Sequence, residues 1–259
     1  MGSLTPTTGF NVPAPCDLSA TELTRLLADK SLSPLELLDS CLSRIAAVNP
    51  AVNAVVTLAE DQARTEARAA EAAIMSGEGR GPLHGLPVLI KDTQDTKGLR
   101  TTYGSPLFAN HIPTADAGSV ARLRAAGAII FGKTNTPEWA AGGNTRNPVH
   151  GATGNAFDPL RSAAGSSGGS AVALACGMAP LASGSDAERL TRRPHRDGVA
   201  VLLLYRPAGG TLVSTNGGSV WRGVVRSFMG CSLMRPGALG ALALLPARSA
   251  SRFKRLLIM

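Results

Sequence analysis

Residues 118–134 read GSVARLRAAGAIIFGKT. The first ten predict a helix closed by Gly127, and AIIFGKT at 128–134 predicts the strand that follows it. Upstream, LPVLI at 86–90 is a short apolar run, which predicts a buried strand ending at Lys91-Asp92. Strand, helix and strand in this order predict an α/β fold around a largely parallel or mixed sheet.

Working outward toward the N-terminus, Glu60–Met75 is rich in Ala, Glu and Arg and predicts a helix by propensity. NAVVTL at 53–58 fits a strand. Ser33-Pro34-Leu35-Glu36 opens another helix, with Pro34 at its first position and Leu37, Leu38, Cys41, Leu42 and Ile45 as the buried face. Ser19 and Glu22 have the spacing of a capping box ahead of the stripe Leu23, Leu26 and Leu27. Toward the C-terminus, Ser170–Met178 predicts a helix of small residues suited to close packing. After residue 188 there are strand-like pieces but no sustained period, and no internal repeat is visible.

Apolar residues make up 44% and charged residues 17% of the 259, a balance that excludes an intrinsically disordered chain. Cysteines 16, 41, 176 and 231 stand far apart without a CxxC pair. They are therefore expected to be small buried thiols in a reducing compartment, not zinc ligands or a disulfide framework. The opening MGSLTPTTGFNVPAP lacks a basic segment followed by an apolar one, and the apolar runs are too short to span a bilayer. A cytoplasmic protein without a membrane span is the expectation.

The net charge of +8 is unevenly spread. Residues 1–187 carry 14 basic and 16 acidic groups, a net of −2; residues 188–259 carry 12 and 2, a net of +10, with arginine supplying eleven of the twelve. Such asymmetry predicts two segments, 1–187 and an irregular Arg-rich 188–259. The second could bind nucleic acid or another anionic surface through its charge. It has no aromatic interleaving and no recognisable module, so a nucleic-acid partner is not expected.

Two places carry possible chemistry. Lys91 follows a buried strand at its carboxyl end, where α/β proteins tend to place their sites. It is either a solvated charge or an amine whose pKa desolvation lowers enough for it to act as a base. Gly165-Ser166-Ser167-Gly168-Gly169-Ser170 is a flexible linker, a tight turn, or a loop whose N–H groups face an anion or oxyanion as it enters a helix. It lacks the GK[ST] ending of a phosphate loop. A serine-rich loop together with a strand-end lysine suggests a Ser/Lys hydrolase, in which lysine replaces histidine as base.

Four stretches carry a resemblance: GLPVLIKDTQDTKGLRTTYGSP (85–106), LRAAGAIIFGKTNTPEWA (123–140), GGNTRNPVHGATGNAFDP (142–159) and AAGSSGGSAVALACGMAPLASGSD (163–186). In this order they resemble the amidase signature family, over roughly residues 17–187. The resemblance implies a mixed-sheet core flanked by helices, and hydrolysis of carboxamide C–N bonds by a Ser–cis-Ser–Lys triad through an acyl-enzyme. Lys91 matches the catalytic lysine, Ser166 the bridging serine after a cis peptide bond, and Ser167 its loop neighbour. Gly165, Gly168 and Gly169 form the supporting loop. No cofactor and no metal are implied, and the partner is a small-molecule amide. The transamidases are similar: the A subunit of glutamyl-tRNA amidotransferase uses the same scaffold to free ammonia from glutamine.

The family's nucleophile belongs to a motif G-[ST]-D-x-G-G-S-[IL]-R-x-P. Laid on this chain without gaps, Gly184, Ser185, Asp186, Arg192 and Pro194 match. The two glycines fall on Glu188 and Arg189, and the nucleophilic serine falls on Leu190. A leucine side chain cannot form an acyl-enzyme, and neighbouring Thr191 is not aimed as its predecessor would be. The expectation is the front part of an amidase, truncated and inactive or nearly so. A reading-frame change near residue 187 explains the break as a hypothesis. Codons for Glu-Arg-Leu-Thr read one nucleotide later permit Ser-Gly-Ser, with a serine at position 190. Sequencing the coding DNA and its transcript tests this, and a shifted frame that restores no family motif sinks it.

Overall fold

A computed structural model describes residues 13–78 and 81–185 in full, and the backbone of two further strands at 201–205 and 213–214. Helix α1 (Ala20–Ala28) starts at Ser19, whose hydroxyl accepts from the Glu22 N–H. Both halves of a capping box form at α2 (Pro34–Val52), between Ser33 and Glu36. The face expected from the sequence, Leu37, Leu38, Cys41, Leu42 and Ile45, is buried; Leu26 of α1 is only half-buried while Leu23 and Leu27 are fully so.

Asn53 ends α2 in the left-handed conformation. There the Asn49 side chain accepts from the N–H groups of Ala54 and Val55 and donates to the Val55 carbonyl, turning the chain into β1 (Val55–Leu58). Helix α3 (Glu60–Met75) packs on α2 and on the sheet, and buries alanines 63, 67, 70 and 73.

Strands β2 (Pro87–Lys91) and β3 (Ile129–Thr134), joined through α4 (Gly118–Ala125), form the predicted alternation. Two further two-residue strands, β4 (Arg146–Asn147) and β5 (Gly151–Ala152), make a separate antiparallel pair. Helix α5 (Gly168–Ala175) leads to β6 (Leu181–Ser185), followed by β7 (Val201–Tyr205) and β8 (Val213–Ser214). The main sheet runs β1-β3-β2-β6-β7-β8. Its centre, β3-β2-β6, is parallel, while β1, β7 and β8 join antiparallel, so the sheet is mixed.

Strands β2 and β3 are buried throughout, which matches the apolar runs with which they begin. Gly132 marks an irregularity in the β2–β3 register. A side chain there would stand 2.6 Å from the Thr57 carbonyl, so only glycine lets β3 lie this close to β1. Among the described cysteines, Cys16, Cys41 and Cys176 form no disulfide, and the first two are buried. Burial pushes the Cys41 thiol well above its usual range. Cys231 lies outside the described residues, as do Glu188, Arg189, Leu190 and Thr191.

Candidate active site

The carboxyl end of β2, the amino end of α5 and the end of β6 converge on one point. Lys91, at the last position of β2, is fully buried. Its Nζ lies 2.8 Å from Ser166 Oγ, 3.1 Å from Ser167 Oγ and 2.8 Å from Ser185 Oγ. Burial lowers its pKa to about 7, since the charged ammonium loses water and, among the described residues, its side-chain partners are neutral hydroxyls. A neutral lysine amine has two protons to give and one lone pair, so three hydroxyls around it leave one free to direct its proton inward. Lys91 is thus a buried amine with a lowered pKa, not a solvated charge.

The serine loop is held from both sides. Thr145 Oγ1 donates to the Ala164 carbonyl at 2.7 Å and accepts from the Gly168 N–H at 3.0 Å, gripping the loop before and after Ser166. Thr136 Oγ1 donates to the Ser166 carbonyl, and the Gly165–Ser166 peptide bond is cis. Because the Gly168 N–H goes to Thr145, that donor does not face an anion as the loop sequence suggested. The second glycine has a packing reason: a side chain at Gly169 would stand 2.4 Å from the Asn135 backbone nitrogen. The loop is thus neither a linker nor free to move independently of β3.

Lys91 is also fixed through its backbone. Its N–H donates to Ser183 Oγ at 2.9 Å, and Ser183 in turn donates to the Gln94 side chain. Ser170 Oγ donates to the Ser183 carbonyl at 2.7 Å and lies 2.6 Å from Thr134 Oγ1, which ties α5, β6 and β3 together. A second buried lysine, Lys133, donates to the Gln94 carbonyl at 2.5 Å and to Thr96 and Thr101 at 3.0 Å each. Burial lowers its pKa to about 8. Beside Lys91, the buried Asp92 accepts from the Thr102 hydroxyl at 2.5 Å, and His150 Nε2 stands 3.1 Å from the same hydroxyl.

Sequence reasoning found Lys91, Ser166 and Ser167, which the fold brings together across 75 and 76 positions. It gave Ser185 no role, and it missed Ser183, Gln94, Lys133, Thr136 and Thr145. One signal was available: Ser183 and Ser185 are two apart on a strand, so their side chains share a face. Nearby, the half-exposed Trp139 stacks on Tyr103 at 5.2 Å on the segment that follows Thr136. Among the described residues no group of His, Cys, Asp and Glu could hold a metal ion.

A profile of the family described as Amidase matches residues 36–194. This chain belongs to the amidase family. It is 45% identical over 177 residues to the A subunit of a glutamyl-tRNA(Gln) amidotransferase from Roseiflexus castenholzii, covering 68% of this chain and 36% of the relative. It is 44% identical, also over 177 residues, to an acylamidase from Rhodococcus erythropolis, covering 68% and 37%. The solved structure of a 6-aminohexanoate cyclic dimer hydrolase superposes with a TM-score of 0.60 at 36% identity, covering 66% of this chain and 34% of that one. That of a fatty acid amide hydrolase superposes with 0.64 at 28%, covering 68% and 32%. The chain therefore spans about a third of the length of the relatives it matches. The fold agrees with the α/β mixed sheet and flanking helices expected of this family. Among the described residues, no helix is long and apolar enough to cross a membrane.

Proposed function

We propose that this chain is the front part of an amidase-family hydrolase, carrying the base and relay of a Ser–Ser–Lys triad without its nucleophile. The observation that carries the reading is the Lys91 Nζ–Ser166 Oγ contact of 2.8 Å in a buried site where, among the described residues, the lysine's side-chain partners are hydroxyls. In the intact reaction, a neutral Lys91 would take a proton from Ser166 as Ser166 takes one from the attacking serine. That serine would bond to the amide carbon, the amine would leave with a proton returned along the same path, and water would release the acid. Ser167, Gly165, Gly168 and Gly169 hold the relay in place. At the nucleophile's position stands Leu190, and Glu188 and Arg189 replace the glycines that would aim the oxyanion donors.

Amide turnover is therefore expected to be absent or nearly so. In a serine-protease comparison, loss of the nucleophile costs roughly a millionfold in rate. The test is ammonia release from small carboxamides by the purified full chain. Release at the rate of an intact amidase-family enzyme would overturn the reading.

A transamidase role is the second reading, favoured by the names of several relatives, which are glutamyl-tRNA(Gln) amidotransferase A subunits. Copurification with further subunits and ammonia release from glutamine only in their presence would support it. A third reading, a non-enzymatic protein with a basic anion-binding tail, rests on the +10 charge of residues 188–259. Salt-sensitive retention on DNA by the full chain, lost when residues 188–259 are removed, would favour it. A small-molecule amide as partner and a cytoplasmic location belong to the first reading.

A further inference from the structure

Three hydroxyls surround Lys91 Nζ, and their remaining hydrogen bonds set them apart. Ser167 is buried and fully engaged: it accepts from Lys91 and from the Ser185 N–H, and its proton faces the Ser185 carbonyl. Ser166 and Ser185 are both half-buried, and for each hydroxyl the described partner is Lys91. Either could direct its proton to the amine's lone pair.

Two features favour Ser166. Its backbone is fixed independently of its hydroxyl, by Thr136 on its carbonyl and Thr145 on both flanks. It also stands two residues ahead of α5, whose amino end carries the positive partial charge of the helix and favours a developing alkoxide. Ser185 is bonded to the cap residue Ser167 through its backbone N–H and faces it through its carbonyl, whereas Thr136 and Thr145 hold the carbonyl and flanks of Ser166.

We propose that Ser166 is itself an acyl acceptor in this chain, taking the acyl group of small activated esters with Lys91 as its base. Ser166 Oγ bonds to the ester carbonyl carbon as its proton passes to Lys91 Nζ. The tetrahedral adduct then expels the phenolate, leaving an acyl-Ser166 ester, and Lys91 returns its proton to solvent. An activated ester is required because a phenolate leaves without the proton that an amine needs. The inference rests on the reading of Lys91 as the base of an amidase-family site.

The test is reaction of the full chain with 4-nitrophenyl acetate, following 4-nitrophenolate release and locating the acetyl group by peptide mass spectrometry. The expected result is one acetyl group on Ser166, with a rate that rises through about pH 7 as Lys91 loses its proton. Ser166→Ala, which removes one oxygen, abolishes it, and so does Lys91→Met, with circular dichroism showing that each variant is folded. Acetyl on Ser185 or on Lys91, equal labelling of Lys91→Met, or no acetyl at all overturns the proposal. Amide turnover is measured on the same preparation. Turnover there overturns the reading of the chain as lacking a nucleophile, whereas missing acetylation without turnover overturns only the role given to Ser166.

Discussion

The backbone N–H of Lys91 donates to the side chain of Ser183 at 2.9 Å, pinning the end of β2 to β6. Both groups are fully buried, and Ser183 passes the connection to Gln94. Ser183→Ala would strip the partner from a buried N–H. The expected loss is about 1–3 kcal/mol, the usual penalty for such a group. Urea unfolding of the variant beside the parent checks it, and an unchanged midpoint would contradict the pinning.

Gly169 lies against the backbone of Asn135, and an added side chain would stand 2.4 Å from its nitrogen and 2.5 Å from its oxygen. Neither atom can swing aside, because the Asn135 N–H is bonded to the Ala54 carbonyl. Gly169→Ala is expected to cost about 1–3 kcal/mol, as overpacking does elsewhere. It should also weaken the reactivity of Ser166, since α5 must shift. Thermal unfolding and fluorophosphonate labelling measure the two effects.

Lys91 and Lys133 give stability a defined pH dependence. Each has its folded pKa lowered by burial, to about 7 and about 8, against 10.5 for an ordinary lysine. Between those values and 10.5 the unfolded chain binds more protons than the folded one, so stability rises with pH across that window. Below about pH 7 both states hold the Lys91 proton and its contribution to the slope ends. Urea midpoints at neutral and at alkaline pH should show the rise, and Lys91→Met should reduce it to the share that Lys133 supplies.

Lys133 satisfies the Gln94 carbonyl and two threonine hydroxyls in a place no water reaches. Lys133→Met keeps the length but leaves the Gln94 carbonyl without that donor. A loss of about 1–3 kcal/mol is expected. The segment from Asp92 to Thr102 should also exchange its amide hydrogens faster, which hydrogen-exchange mass spectrometry would detect. Unchanged protection there would show that Lys133 does not hold the segment.

Residue order alone determined a good deal. Caps and apolar spacing announced α1 and α2, helix propensity announced α3, and the short runs at 86–90 and 128–134 announced the buried strands, because these signals are local to the element that makes them. The motifs around Lys91 and Ser166 announced the family, and the mismatch at Leu190 is legible only in the sequence, since that residue lies outside the described ones.

What the sequence could not supply was distance. Ser185 stands 94 positions from Lys91 and Ser183 stands 92, and only the parallel pairing of β2 with β6 brings them to one point. The same holds for the lysine's charge state. A strand-end lysine is solvated or buried according to what packs over it, and here α5 and the serine loop replace water with hydroxyls. Desolvation is a property of the assembled site, so tertiary structure alone decided that Lys91 has a lowered pKa.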